Sequence, residues 1–184
     1  MSSDESINPW RKTATREVYD NPWIRVREDG VMRPDGQLGV YGVVHFKNIA
    51  VGVLAVEGDE LYLVGQYRYT LDSYSWEIPE GGCPEGEEPV EAARRELEEE
   101  TGLRARRWEK LGEAHLSNSA TDECAVWFLA TDLTQGEPHP DGTEQLKIRR
   151  VKIREALRMA LSGEITDALS LLALMQYQLV RAGS

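Results

Sequence analysis

Cysteine is nearly absent: the 184 residues hold two, Cys83 and Cys124. Two cysteines make neither a disulfide framework nor a zinc cluster, so they are expected to be reduced thiols in a cytoplasmic protein. Positive charge is in deficit, with 21 Lys and Arg against 32 Asp and Glu and a net charge of -11. That balance argues against wrapping a nucleic acid or lying on an anionic membrane, since both are polyanions. It does not exclude a small phosphorylated substrate, because cations can bridge acid to acid. Long apolar runs are also missing. The most apolar late stretch, Ala168 to Val180, is too short to cross a bilayer and contains Gln176 and Gln178. It reads as a buried amphipathic helix. The opening Met-Ser-Ser-Asp-Glu-Ser lacks the basic and apolar regions of a signal peptide.

Hydrophobic residues make up 41%, enough for a core in a chain of this length. Thr15 to Asp20, Ile24 to Val31 and Leu38 to Phe46 alternate apolar and polar residues as half-buried strands do, with breaks at Asn21-Pro22 and Pro34-Asp35-Gly36. Ala50 to Val56 and Leu61 to Tyr67 flank Gly58-Asp59 as a hairpin. Ser75 to Gly82 ends as a Gly-rich loop. Pro89 suits the first turn of a helix that should end at Thr101, with Gly102 as its C-terminal cap. Trp108 to Glu113, Ala125 to Thr131 and Ile148 to Ile153 are further strands. Arg154 to Leu161 and Asp167 to Arg181 are further helices. Mixed strands, one acidic helix in mid-chain and two terminal helices predict an α+β sandwich. Its expected division is a β-rich N-terminal arm over 1–46 and a main domain over 47–184.

The mid-chain helix carries Arg94-Arg95-Glu96-Leu97-Glu98-Glu99-Glu100. At about 100° per residue, Glu96, Glu99 and Glu100 share one side. Arg95 can pair with Glu99 or Glu91, and Glu98 with Arg94. The surplus of carboxylates lies near the negative end of the helix dipole, so a bound cation would relieve both repulsions. Hard oxygen ligands suit Mg²⁺, or Mn²⁺ as a substitute.

Gly81, Glu87, Arg95-Glu96-Leu97, Glu99-Glu100 and Gly102-Leu103 together resemble the complete signature of the Nudix hydrolases. Gln66-Tyr67-Arg68, Trp76-Glu77-Ile78-Pro79 and the loop Leu116 to Glu123 resemble the ADP-ribose and nucleoside diphosphate sugar pyrophosphatase branch. The resemblance implies a Nudix-type α/β/α sandwich with a mixed sheet. It implies metal ligation by Glu96, Glu99, Glu100 and the backbone carbonyl of Glu80, with Arg95 and Glu87 orienting the carboxylates. It implies a phosphate contact from Arg68 and a catalytic base from a loop outside the signature, where Glu144 is the first choice. Glu137 and Asp141 compete on the same loop, and Glu96 competes within the signature. Trp10, Trp23 and Tyr41 are candidates to stack on a nucleobase.

The expected activity is Mg²⁺-dependent cleavage of nucleoside diphosphate sugars to a nucleoside monophosphate and a sugar phosphate. Ser117-Asn118-Ser119 stands where ADP-ribose pyrophosphatases usually carry Ser-Pro-Gly. The missing proline favours a broader range that includes GDP-mannose. The alternatives are a dedicated ADP-ribose pyrophosphatase and a Nudix-like sensor that binds without cleaving. The intact glutamates speak against the sensor. The strand-rich arm, thin by itself, is expected to cross to a second subunit in a homodimer and help hold the nucleobase.

Overall fold

The computed structural model describes residues 7–139 and 145–182. The chain separates into two compact units. One runs to Lys47 and takes in Leu116–Glu123, and the other holds Asn48–His115 and Cys124 onward.

The first unit is an antiparallel sheet of β1 (Arg11–Asp20), β2 (Ile24–Met32) and β3 (Leu38–Phe46), in that order. The break after β1 is an Asx turn: Asn21 Oδ1 accepts the backbone N–H groups of Trp23 (2.9 Å) and Ile24 (2.7 Å). The next break turns on Gly36 at φ 80°. Leu116–Glu123 lies along the outer edge of β3. Val44 N–H donates to the Ala120 carbonyl (2.9 Å) and Asp122 N–H to the Val44 carbonyl (3.2 Å). Among the described residues of this unit only Asp29 and Val31 are buried. Asp29 is satisfied by the Thr15 hydroxyl at 2.5 Å and Arg27 Nε at 3.1 Å. Every residue of β1 is exposed.

The second unit holds β4 (Ile49–Glu57), β5 (Glu60–Arg68), β6 (Ser73–Glu77), β7 (Glu80–Cys83), α1 (Pro89–Thr101), β8 (Leu103–His115), β9 (Cys124–Gln135), β10 (Lys147–Lys152), α2 (Ile153–Ser162) and α3 (Ala168–Ala182). Its sheet runs β10-β5-β4-β9-β8, with β6 on β5 and β7 on β4. β4 and β9 are parallel, from Ala50 opposite Ala125 to Ala55 opposite Ala130, and the other pairs are antiparallel. The sheet is therefore mixed, as expected.

Alternation along β4 builds two cores. Val51, Val53 and Ala55 pack with Ala92, Ala93 and Leu97 of α1 and with Val126, Phe128 and Ala130 of β9. On the other face of β4 the bare Cα of Gly52 lets Leu169 of α3 and Ile78 come in, since a Cβ there would lie 2.9 Å from both. Each fully buried aliphatic side chain contributes roughly 1.5–3 kcal/mol. Helices on both faces give the α/β/α sandwich.

The helix over 89–101 ends where the sequence places it: Gly102 sits at φ 71° and its N–H closes on the Glu98 carbonyl at 2.8 Å. The stretch Ser75 to Gly82 differs from the expected loop. β4 and β5 pair only at Val56–Leu61 and Glu57–Glu60 and then part, and each recruits a new partner, β7 and β6. β8 and β9 also extend beyond the expected spans, because each satisfies the other's backbone along nearly its full length. Among the described residues no helix is long and apolar enough to cross a membrane.

Candidate active site

α1 starts at Pro89, whose missing N–H is one of the groups a first turn leaves unpaired anyway. Its acidic side is organised by one guanidinium. Arg95 Nη1 donates to Glu96 Oε1 (2.7 Å) and Glu99 Oε2 (3.2 Å). Nη2 donates to the Gly82 carbonyl (2.8 Å) and Glu87 Oε2 (3.3 Å). Burial opposes the charge on Arg95, and these bonds outweigh it and hold the group protonated. Gly81 is glycine for a visible reason: a Cβ there would lie 2.1 Å from Glu96 Cδ, so the carboxylate rests on bare backbone. Glu100 is 2% exposed, and its Oε2 accepts the Glu80 N–H at 3.0 Å.

The expected Arg94–Glu98 pair does not form. Arg94 lies 3.4 Å from Glu91 and over the Trp108 ring at 5.2 Å, while Glu98 pairs with Arg104. The chain turns back into β8 at once after Gly102, and that brings Arg104 to the acid first.

The irregular stretch between β6 and β7 is pinned from three sides. Ile78 N–H donates to Ser170 Oγ (2.9 Å), Val53 N–H donates to the Pro79 carbonyl (2.8 Å), and Glu80 N–H reaches Glu100. Arg68, at the end of β5, donates through Nε to both oxygens of Glu77 (2.9 and 3.1 Å). Its Nη2 donates to Glu80 Oε1 at 2.6 Å and also bonds Glu77. Carboxylate oxygens of Glu77, Glu80 and Asp167 all lie within 4.8 Å of one another. Burial, with Asp167, Glu77 and Glu100 nearby and Arg68 opposing, pushes the Glu80 carboxyl well above the usual carboxylate range. Its Oε2 is buried with no hydrogen-bond partner among the described residues.

The second unit thus brings Glu80, Glu96, Glu99, Glu100, Arg95 and Arg68 together around β7 and α1. Glu77, named only as part of Trp76-Glu77-Ile78-Pro79, joins them, as do Asp167 and Ser170, which were not singled out. Asp167 and Ser170 gave no signal, because in sequence they read only as the start of a helix. The turn after β9 is anchored to the C-terminal end of α1 by Gly136 N–H to the Gly102 carbonyl (2.7 Å) and His139 N–H to the Glu99 carbonyl (2.8 Å), so Glu137 is carried there. Glu144 and Asp141 lie outside the described residues.

Trp23 and Tyr41 belong to the first unit. Trp23 is 67% exposed. Tyr41 donates its hydroxyl to the Ser119 carbonyl at 2.7 Å and meets the ring of Trp10 edge-on at 5.4 Å. His45 bonds Asp122 Oδ2 through Nδ1 at 2.6 Å.

Comparison with known proteins places two family matches end to end. The NUDIX domain family matches residues 46–171, and the nucleoside diphosphate sugar hydrolase N-terminal domain matches residues 10–44. The chain is 32% identical to an ADP-ribose pyrophosphatase of Bacillus subtilis, over 92% of both chains. It is 33% identical to an ADP-ribose pyrophosphatase of Mycobacterium tuberculosis, over 92% of this chain and 84% of that one. A crystal structure of an ADP compounds hydrolase superposes with a TM-score of 0.87 over 98% of both chains at 22% identity, which shows a shared fold.

Proposed function

Because this chain belongs to the Nudix family, we propose that it hydrolyses the pyrophosphate bond of nucleoside diphosphate sugars of the ADP-ribose and GDP-mannose type. The products are a nucleoside monophosphate and a sugar phosphate. The observation that carries the reading is the set of carboxylates collected on Arg95 and against Gly81. Glu87, Glu96 and Glu99 share a single guanidinium, and Glu100 is buried beside them. One positive charge does not balance four negative ones. An oxygen-only donor set of this kind fits Mg²⁺, with Mn²⁺ as a substitute, and does not suit zinc. Glu96, Glu99, Glu100 and the Glu80 carbonyl would hold the ion. When bound, it offsets the charge of the pyrophosphate and acidifies a water.

The chain's own residues do the rest. Arg95 fixes the directions of Glu96 and Glu99 and is itself fixed by Glu87 and the Gly82 carbonyl. Glu144 takes the proton from the attacking water, with Glu137, Asp141 and Glu96 as the competing bases. Arg68 contacts a substrate phosphate by exchanging its bond to Glu80 for one to the ligand. Trp23 and Tyr41 hold the nucleobase. Cys83 and Cys124, both free thiols, fit a cytoplasmic setting. The arm over 1–46 pairs with a second subunit, and 47–184 forms the catalytic domain.

A substrate panel with phosphate detection tests this reading. ADP-ribose and GDP-mannose should both be cleaved at the pyrophosphate, and nucleoside triphosphates poorly. Activity confined to ADP-ribose would favour the dedicated enzyme suggested by the relatives. Tight binding with no product, in Mg²⁺ or Mn²⁺, would favour a sensor.

A further inference from the structure

We infer that Ser170, on α3 and far beyond the Nudix signature, is a positioning residue for the metal site; the inference rests on the metal ligation proposed above. Ile78 and Pro79 form the gap between β6 and β7, and Glu80 opens β7 opposite Gly52 of β4. Their backbone donors can be counted completely. Ile78 N–H goes to Ser170 Oγ at 2.9 Å, Pro79 has none, and Glu80 N–H goes to Glu100 Oε2 at 3.0 Å. Two side chains from two helices on opposite faces of the sheet therefore hold the piece of backbone that presents the Glu80 carbonyl. One of them, Glu100, is a proposed ligand, and the other is Ser170.

Ser170 is fully buried, so its hydroxyl has no solvent to turn to. It is placed rigidly. Its own N–H donates to Asp167 Oδ2 at 2.6 Å, fixing the first turn of α3. Its neighbour Leu169 fills the space left bare by Gly52, directly beside Ile78. α3 thus meets the segment through a knob and a hydrogen bond at adjacent positions. Without the Ser170 oxygen, Ile78 N–H is left buried and unpaired. The backbone then shifts toward another acceptor, carrying Pro79 and Glu80 with it. Glu77 flanks the same gap and bonds Arg68, so the shift also disturbs the cluster of Arg68, Glu77 and Glu80.

The test compares full-length wild type with Ser170→Ala, Ser170→Cys and Leu174→Val. Mn²⁺ affinity is read from the signal of the free ion, and melting temperature is read with and without Mg²⁺. The cysteine variant fills the serine's space but offers only a weakly accepting sulfur. Leu174→Val trims a fully buried side chain of the same helix that makes no such bond. Both Ser170 variants are expected to bind Mn²⁺ roughly tenfold more weakly than wild type, with a smaller Mg²⁺-dependent rise in melting temperature. Leu174→Val should melt earlier and bind as wild type does. Ser170 variants that bind as tightly as wild type, or Leu174→Val binding as weakly as they do, would overturn the positioning role. A wild type that binds no Mn²⁺ would overturn the metal-site reading and this inference with it.

Discussion

Arg95 shows why the signature specifies arginine at that place. It makes four bonds in four directions, to Glu87, Glu96, Glu99 and the Gly82 carbonyl. Lysine has three donors on a single nitrogen and cannot span that fan. Glu100 poses the opposite problem, a carboxylate almost without solvent. Its Oε2 is engaged by the Glu80 N–H, and an amide oxygen can accept that bond equally well. Glu100→Gln should therefore keep the fold while removing the charge the cation needs. The expected outcome is a loss of at least ~100-fold in kcat at saturating Mg²⁺, with the circular dichroism spectrum unchanged. Near-wild-type turnover would show that Glu100 is not a ligand.

At the scale of elements, α1 is set by its ends. Gly102 sits at φ 71°, and a Cβ there would lie 2.6 Å from the Gly136 carbonyl oxygen. Gly102→Ala faces both a strained backbone and a collision with the turn that carries Glu137. Chemical denaturation should find it destabilised by more than ~1 kcal/mol. This helix was legible because every signal for it is local: Pro89 before it, Gly102 after it and its glutamates at helical spacing. The acidic side of the site was legible for the same reason. β6 and β7 were not, since Pro79, Gly81 and Gly82 are turn residues by composition. Those strands exist only because β4 and β5 part company and need new neighbours. The bonds of Arg68 to Glu77 and Glu80 were hidden with them. Ser170 was hidden more deeply, because the bond that gives it meaning spans from α3 back to Ile78.

For the whole molecule, the most informative contrast is in burial. The second unit buries two cores, while the first buries only Asp29 and Val31 among its described residues. It leaves Val18, Tyr19, Trp23, Leu38 and Val40 exposed, Leu38 by 73%. A thin sheet with that much apolar surface is the kind of element a second copy covers. Light scattering at assay concentration should therefore report twice 20.8 kDa, and a fully active monomer of 20.8 kDa would sink the exchanged-arm proposal. The parallel pairing of β4 with β9 reaches further still. β4 is the central strand of the main sheet, yet it pairs with its sequence neighbour β5 at only two positions. Its long partner, from Ala125 to Ala130, leaves the ribosome only after β5, β6, β7, α1 and β8. During synthesis the apolar run of Val51, Val53 and Leu54 must wait for that strand with its backbone half-paired. That interval is when the nascent chain is most exposed to aggregation and to capture by chaperones.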